Sequence, residues 1–231
     1  MSDQVVFVPG LLCTAALFAP QLAAFSGRAD CLVADHTRHD SMPAIVDAIL
    51  KAAPDRFALV GLSMGGYIAL EMADRAPDRI TSLVLMDTSA RDERPEQTAF
   101  RHELMAQARE DGILPVIDRL LPLFVDESRL QDENLIATVR RMAQDTGVDA
   151  FIRQQTAIIG RKDARPDLAD IACPTLVVVG DRDRLTPPEL SEEIAAGIAG
   201  AQLEFVAESG HLTTLEQPDT VNALLKEFLR L

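Results

Sequence analysis

A serine stands between two glycines in the segment GLSMGG, where an apolar run ends and a helical pattern begins. In this segment Ser63 lies two residues after Gly61 and two before Gly65. A serine hydroxyl is a useful nucleophile only when a base takes its proton, an acid orients that base and N–H groups stabilise the oxyanion. Flanking glycines allow the sharp strand–turn–helix that exposes such a serine. The segment therefore predicts a nucleophile whose base and acid come from elsewhere in the chain.

Histidine is the most frequent general base, and two histidines follow Ser63 in the sequence. His102 lies among charged residues in a helical pattern, which is typical of a solvated helix surface. His211 lies in the segment ESGHLTTLEQP, between the last predicted strand and the last predicted helix. Because a nucleophile on this kind of turn is followed in the chain by the acid and then by the histidine, we expect His211 to be the base. His36 and His39 precede the serine, and we expect them to order a loop.

Three aspartates are candidates for the acid that orients the histidine. Asp87 follows one predicted strand, and Asp181 and Asp183 follow another in the segment GDRDRLTP. A buried carboxylate at any of these positions would select the histidine tautomer and stabilise the imidazolium. Spacing alone does not choose among the three.

The elements that must position these residues alternate along the chain. Apolar runs predict strands at Gln4–Gly10, Cys31–His36, Arg56–Leu62, Ile80–Thr88, Pro174–Asp181 and Ala201–Ser209. Helical spacing predicts helices at Ser41–Ala53, Met64–Ala76, Pro188–Ala199 and Pro218–Leu229. Buried strands alternating with helices predict an α/β fold with a mostly parallel sheet of about six strands and helices on both faces.

Residues 91–171 differ, because they contain helical patterns and no convincing strand. We expect them to form a helical cap or lid inserted into a core made of residues 1–90 and 172–231. Such a stretch is too long for an ordinary loop, and insertions of this kind often cover active sites.

Composition excludes several classes of function. The 231 residues carry a formal net charge of −14, which disfavours binding to nucleic acid or to an anionic membrane surface. We find no signal peptide pattern and no apolar run long enough to span a bilayer, so we expect a cytoplasmic protein. Three well-separated cysteines and four histidines form no metal-ligand motif, so we expect no metal site.

The chain resembles the α/β-hydrolase superfamily, in particular its compact branch of serine esterases, enol-lactonases and haloperoxidase-like enzymes with a helical cap. The resemblance rests on GLSMGG, GDRDRLTP and SGHLTTLEQP and on the spacing between them. It implies that Asp183 is the acid and that the backbone N–H groups of Leu11 and Met64 form the oxyanion hole. Relatives usually carry histidine before the glycine of the first strand's turn, where this chain has Pro9.

The resemblance also implies a reaction. We expect hydrolysis of a small or medium carboxylic ester or lactone through an acyl-serine intermediate, without a metal or an organic cofactor. A 3-oxoadipate enol-lactonase-like enzyme or a C–C bond hydrolase would use the same three residues, and a non-catalytic binding protein on a hydrolase scaffold is the alternative of another class. The substrate pocket is expected to be lined by Leu12, Phe124, Leu185 and Leu212. An inward-pointing arginine would indicate a dicarboxylate substrate, and the candidates are Arg91, Arg94 and Arg184.

Overall fold

A six-stranded parallel sheet forms the centre of the computed structural model, which describes residues 3–231. The strands are β1 (Asp3–Val8), β2 (Ala29–Val33), β3 (Phe57–Leu62), β4 (Ile80–Met86), β5 (Thr175–Gly180) and β6 (Gln202–Val206). Their order across the sheet is β2-β1-β3-β4-β5-β6, and every neighbouring pair is parallel. The prediction of a six-stranded, parallel α/β fold is therefore confirmed.

Nine α-helices accompany the strands within the described part of the chain. They are α1 (Ala19–Phe25), α2 (Met42–Ala52), α3 (Met64–Arg75), α4 (Pro95–Asp111), α5 (Ile113–Phe124), α6 (Glu133–Ile159), α7 (Pro188–Gly197), α8 (Thr213–Glu216) and α9 (Pro218–Leu229). The sequence analysis missed α1 and α8, which are short and therefore show little periodicity. None of the helices between residues 3 and 231 combines the length and the apolar character needed to cross a membrane.

The hydrophobic core lies on both faces of the sheet. Every residue of β3 and of β5 is buried, which requires cover on both sides of these central strands. One helical pair consists of α2 and α3, and another of α1 and α9, while α7 packs on β5. The near-continuous apolar strands of the sequence therefore occupy the middle of a three-layer arrangement.

Three helices fill the chain between β4 and β5, where no strand occurs in the described structure. The helices α4, α5 and α6 pack against one another. Helical patterns at Ser128–Gln144 and Asp149–Ile159 predict two helices in the range of α6, and the structure agrees, because α6 consists of two helical stretches that meet at Gly147, whose φ of 75° is not helical. Pro122 lies inside α5 near its end. We refer to α4, α5 and α6 as the helical segment.

Parallel strands bring all the predicted chemical residues to one edge of the sheet. The turns that carry Leu11, Ser63, Asp87, Asp183 and His211 follow the carboxyl ends of β1, β3, β4, β5 and β6, respectively. Residues far apart in the chain therefore meet where open α/β sheets bind their ligands.

Candidate active site

Ser63 occupies a strained turn between β3 and α3. Its backbone has φ 57° and ψ −116°, a conformation that residues with a side chain seldom adopt. Hydrogen bonds hold the turn, because the Ser63 N–H donates to the Met86 carbonyl at 2.9 Å and the Thr88 hydroxyl donates to the Ser63 carbonyl at 2.8 Å. The side chain is therefore presented in one direction by a backbone that its neighbours hold in place.

Glycines make this turn possible through close backbone contacts. A Cβ atom on Gly65 would lie 1.9 Å from the Val8 carbonyl oxygen, and one on Gly61 would lie 2.3 Å from the Gly65 carbonyl oxygen. A Cβ on Gly10 would lie 3.3 Å from the Cβ of Ser63, so the turn after β1 passes directly beside the serine. The glycines allow β1, β3 and α3 to approach at backbone distance.

His211 and Asp183 form a buried pair across the loops that follow β6 and β5. The Nδ1 atom of His211 lies 2.8 Å from Oδ2 of Asp183. Asp183 also accepts hydrogen bonds from the backbone N–H groups of Leu185 and Thr186 and from the Thr186 hydroxyl. The Thr186 oxygen is in turn 3.2 Å from His211 Nδ1. These bonds orient the carboxylate toward the imidazole, as the acid of a serine nucleophile requires.

The remaining ring nitrogen of His211 is available. Its Nε2 atom is buried and has no hydrogen-bond partner among the described residues. Burial lowers the pKa of His211, but the charge of Asp183 and the hydrogen bond to it outweigh burial, so the pKa is raised overall. The imidazole can therefore accept a proton at Nε2 while Asp183 stabilises the resulting cation.

Asp87 is a second buried carboxyl group at this edge, and it makes contact with both loops. Its Oδ1 atom accepts the Gly180 N–H at 2.9 Å, and its Oδ2 atom lies 2.5 Å from the Thr213 hydroxyl. Burial and the neighbouring charge of Asp183 raise the pKa of Asp87 well above its ordinary range. Asp87 makes no hydrogen bond to His211 among the described residues, unlike Asp183.

Two further carboxylates order the loop that carries His211. Asp181 accepts the Ser209 N–H at 3.3 Å. Glu216 accepts the N–H groups of Leu212 and Asp126, at 3.2 Å and 2.8 Å. Glu216 therefore connects the histidine loop to the end of α5.

The turn after β1 holds Leu11, one of the two predicted oxyanion donors. The Gly10 carbonyl lies 3.0 Å from His36 Nε2, and the Leu12 N–H donates to the Gln154 side-chain oxygen at 3.2 Å. Burial lowers the pKa of His36, which favours its neutral form. Met64, the other predicted donor, begins α3, and N–H groups of a first helical turn lack acceptors within the helix. The sequence analysis did not find Gln154, because its contact with this turn spans 142 residues of chain.

A cavity of about 560 Å³ opens above Ser63 against the helical segment. Of the four predicted pocket residues, Phe124 and Leu185 line it. Leu12 and Leu212 do not, because both are buried in the core with 1% of their surface exposed. Tyr67 and Phe100 also line the cavity. His211 lies directly behind the wall, with its ring centroid 5.8 Å from that of Phe124.

The cavity wall is rich in arginine. Arg91 and Arg94 line it as the sequence analysis considered, whereas Arg184 does not. Three further arginines line the cavity, namely Arg101, Arg161 and Arg165. No group of three or more His, Cys, Asp or Glu side chains within residues 3–231 is arranged to hold a metal ion.

Comparisons with known proteins place this geometry in a family. A family model described as the alpha/beta hydrolase fold matches residues 4–218. A 2-hydroxy-6-oxononadienedioate/2-hydroxy-6-oxononatrienedioate hydrolase from Klebsiella pneumoniae is 30% identical over 210 residues, covering 88% of this chain and 73% of that protein.

Solved structures give the same result at the level of the fold. An esterase from Thermogutta terrifontis, solved with malate bound, superposes with a TM-score of 0.91 at 27% identity, covering 100% of this chain and 90% of that one. The enol-lactonase from Burkholderia xenovorans LB400 superposes with a TM-score of 0.90 at 26% identity, covering 100% and 92%.

Proposed function

This chain belongs to the alpha/beta hydrolase family and is a hydrolase, and on that premise we propose that it cleaves a carboxylic ester or lactone through an acyl-serine intermediate. The proposal rests on one observation above all. His211 is bound at Nδ1 by the Asp183 carboxylate, and its Nε2 has no partner within residues 3–231, beside a cavity into which Ser63 opens. This is the acid–base pair that the activation of a serine hydroxyl requires.

The proposed mechanism assigns one role to each residue. His211 takes the proton of Ser63, and Ser63 Oγ attacks the carbonyl carbon of the substrate. The N–H groups of Leu11 and Met64 stabilise the oxyanion, and His211 then protonates the leaving oxygen. Water, deprotonated by the same imidazole, releases the acid and restores Ser63. These steps use no metal and no organic cofactor.

We further propose that residues 91–171 act as a cap over a core of residues 1–90 and 172–231. Residues 91–171 supply Phe100, Phe124 and five arginines to the cavity wall, while the core supplies Ser63. Substrate selection would then reside in the cap and bond cleavage in the core.

A second candidate is hydrolysis of an enol-lactone or of a C–C bond in a keto acid with the same three residues. It is favoured by relatives named as an enol-lactonase and as a hydrolase of an oxononadienedioate. A panel of p-nitrophenyl esters, lactones and dienoic keto acids separates the candidates by their relative kcat/KM values.

The test of the proposal is a Ser63→Ala variant assayed on short p-nitrophenyl esters. Hydrolysis by the parent protein is expected to fall about 10⁴-fold or more in the variant, since removing a triad member leaves only residual catalysis. A fluorophosphonate probe provides an independent readout. The labelled serine must be identified, because Ser89 also lines the cavity. Peptide mapping is expected to find the label on Ser63. Label on Ser89 would assign a different nucleophile, and no label at all would favour a non-catalytic binding protein; either result would refute the mechanism.

A further inference from the structure

We propose that the cavity contains an anion subsite, formed by Arg101, Arg161 and Gln155, that binds a carboxylate of the substrate remote from the bond that is cleaved. The inference rests on the proposed ester or lactone hydrolysis and specifies its substrate class. That class is esters or lactones that carry a free carboxylate.

The first observation is that two arginines in the wall of the cavity share a single carboxylate. Glu93 accepts Arg101 Nε at 2.7 Å through one carboxylate oxygen and a guanidinium N–H of Arg161 through the other. The three side chains are largely buried, with 16% of Arg101, 6% of Arg161 and 2% of Glu93 exposed. Two positive charges therefore share one negative charge, and a buried charge that is not fully compensated is unfavourable. An incoming anion would supply the missing compensation.

The second observation is a buried hydrogen-bond donor without an acceptor. Arg101 Nη1 donates to the Gln155 side-chain oxygen at 2.7 Å, which assigns that atom as the oxygen because an arginine cannot accept. The Gln155 side-chain nitrogen then has no partner among the described residues, although the residue is fully buried and lines the cavity. Buried polar groups are almost always hydrogen-bonded, so an orphan beside two arginines indicates an absent acceptor. A carboxylate oxygen fits this role.

The third observation is that Arg161 packs against the helical turn that follows the proposed nucleophile. The Arg161 guanidinium lies over the Tyr67 ring at 4.5 Å, and the Tyr67 N–H donates to the Ser63 carbonyl at 3.3 Å. Tyr67 is thus one helical turn from Ser63 on α3. Ser63 and Arg161 line the same cavity, so one small molecule can contact both residues.

The other charged residues of the cavity wall leave Arg101 and Arg161 available to bind an anion. Asp92 and Glu189 line the cavity, but in the described structure neither forms an ion pair with Arg101 or Arg161. Arg91 and Arg165 both contact Glu193. Arg94 bonds to Gln97 and has no carboxylate partner among the described residues, so it adds positive charge to the wall.

The experiment compares two esters that share a leaving group and an acyl chain length. Mono-p-nitrophenyl glutarate carries a terminal carboxylate, and p-nitrophenyl valerate carries a methyl group in its place. The parent protein is expected to favour the glutarate by about tenfold in kcat/KM, the equivalent of one charge-assisted contact. Arg101→Gln and Gln155→Met are each expected to lower the ratio of the two kcat/KM values about tenfold, mainly through KM of the glutarate. Arg140→Gln is the matched control, because Arg140 pairs with Asp118 on the outer surface of the same segment.

A preference for the valerate, or a ratio that both cavity variants leave unchanged, would overturn the inference. Free glutarate tests the subsite without catalysis, and it is expected to raise the Tm of the parent more than valerate does. If the parent hydrolyses neither ester while glutarate still raises its Tm, the proposed function fails and the subsite stands. If both esters are hydrolysed equally and glutarate has no effect on Tm, the subsite fails and the function stands.

Discussion

Asp87 Oδ2 lies 2.5 Å from the hydroxyl of Thr213, and this contact joins the end of β4 to the loop that follows β6. The other carboxyl oxygen of Asp87 accepts the N–H of Gly180 at the end of β5. Thr213 is two residues from His211, and Gly180 is three residues from Asp183. One side chain therefore connects the two loops whose relative position sets the 2.8 Å contact between Asp183 and His211.

Replacing Asp87 by alanine is expected to loosen both loops. The change leaves the Gly180 N–H and the Thr213 hydroxyl without their partner in a buried site, which costs about 1–3 kcal/mol for each unsatisfied group. The free energy of unfolding from urea denaturation should fall accordingly, and kcat on a p-nitrophenyl ester should fall with it. Asp87→Asn is the conservative variant, because its amide oxygen can accept the Gly180 N–H while its NH2 group donates to the Thr213 hydroxyl. Equal losses in the two variants would mean that the connection does not depend on these hydrogen bonds.

The rate of ester hydrolysis is expected to rise with pH as His211 loses its proton. Because Asp183 raises the pKa of His211 above its ordinary value of 6.5, the midpoint of the kcat/KM profile should lie above pH 6.5. Asp183→Asn removes the charge that favours the imidazolium, so the midpoint should move to lower pH while the rate falls about 10⁴-fold.

Asp170→Asn controls for a general change of charge, since Asp170 is exposed and lies at the end of a short 3₁₀ helix. Its pH profile should coincide with that of the parent. A midpoint that does not move in Asp183→Asn would assign the titration to a different group.

Stability is expected to decrease as pH rises above 6.5, the ordinary pKa of histidine. Asp87, Glu216 and His211 all have folded-state pKa values above their ordinary ones, so the folded protein holds these protons more tightly than the unfolded chain. The free energy of unfolding must then fall with increasing pH through the window between the unfolded and the folded pKa values. Groups with lowered pKa values have the opposite effect, but only below their ordinary pKa values, which are 3.8 for Asp35 and 6.5 for His36.

Asp87→Asn tests which group is responsible. Removing one titrating carboxyl is expected to flatten the slope of unfolding free energy against pH by up to about 1.4 kcal/mol per pH unit. Urea denaturation at several pH values measures the slope for both proteins. Parallel slopes for parent and variant would show that Asp87 does not titrate in this range.

A methyl group at Gly65 is expected to prevent the close approach of α3 to β1. In Gly65→Ala the new carbon would lie 1.9 Å from the Val8 carbonyl oxygen, which is backbone and cannot rotate away. The expected loss is about 3 kcal/mol or more in the free energy of unfolding. Gly160→Ala is the matched control, because its nearest atom would be 3.7 Å away and its φ of −87° suits alanine. Similar stabilities for the two variants would contradict this packing analysis.

Gln154 is expected to affect kcat more than KM, because it orients the turn that carries Leu11. In Gln154→Leu the Leu12 N–H loses its acceptor, and a displaced turn would weaken the proposed oxyanion hole. We expect kcat to fall about tenfold, less than for direct loss of a donor. Gln107→Leu on α4 serves as the control, because Gln107 lies outside the cavity wall. A change confined to KM would instead assign Gln154 to substrate binding.

Much of the fold could be predicted because it depends on local sequence. Apolar runs such as FALVGL and helical spacing after Met64 identify strands and helices within a window of about ten residues. Glycines around Ser63 predict the turn by the same local logic, since only a residue without Cβ permits the backbone contacts seen there. Chain order then placed the histidine loop and the candidate aspartates at one edge of a parallel sheet.

Only the tertiary structure decided which side chains meet. It brings the Asp183 carboxylate to His211 and directs Asp87 to Gly180 and Thr213 instead, a choice that spacing left open. It also moves Leu12 and Leu212 off the cavity wall and brings Arg101 to Gln155, which lies 54 residues away in sequence. The direction of a side chain across an interface depends on the packing of distant elements, and no local pattern records that packing. The sequence motifs therefore identified the reacting residues, and the packing of the helical segment determined the shape of the cavity in which a substrate must fit.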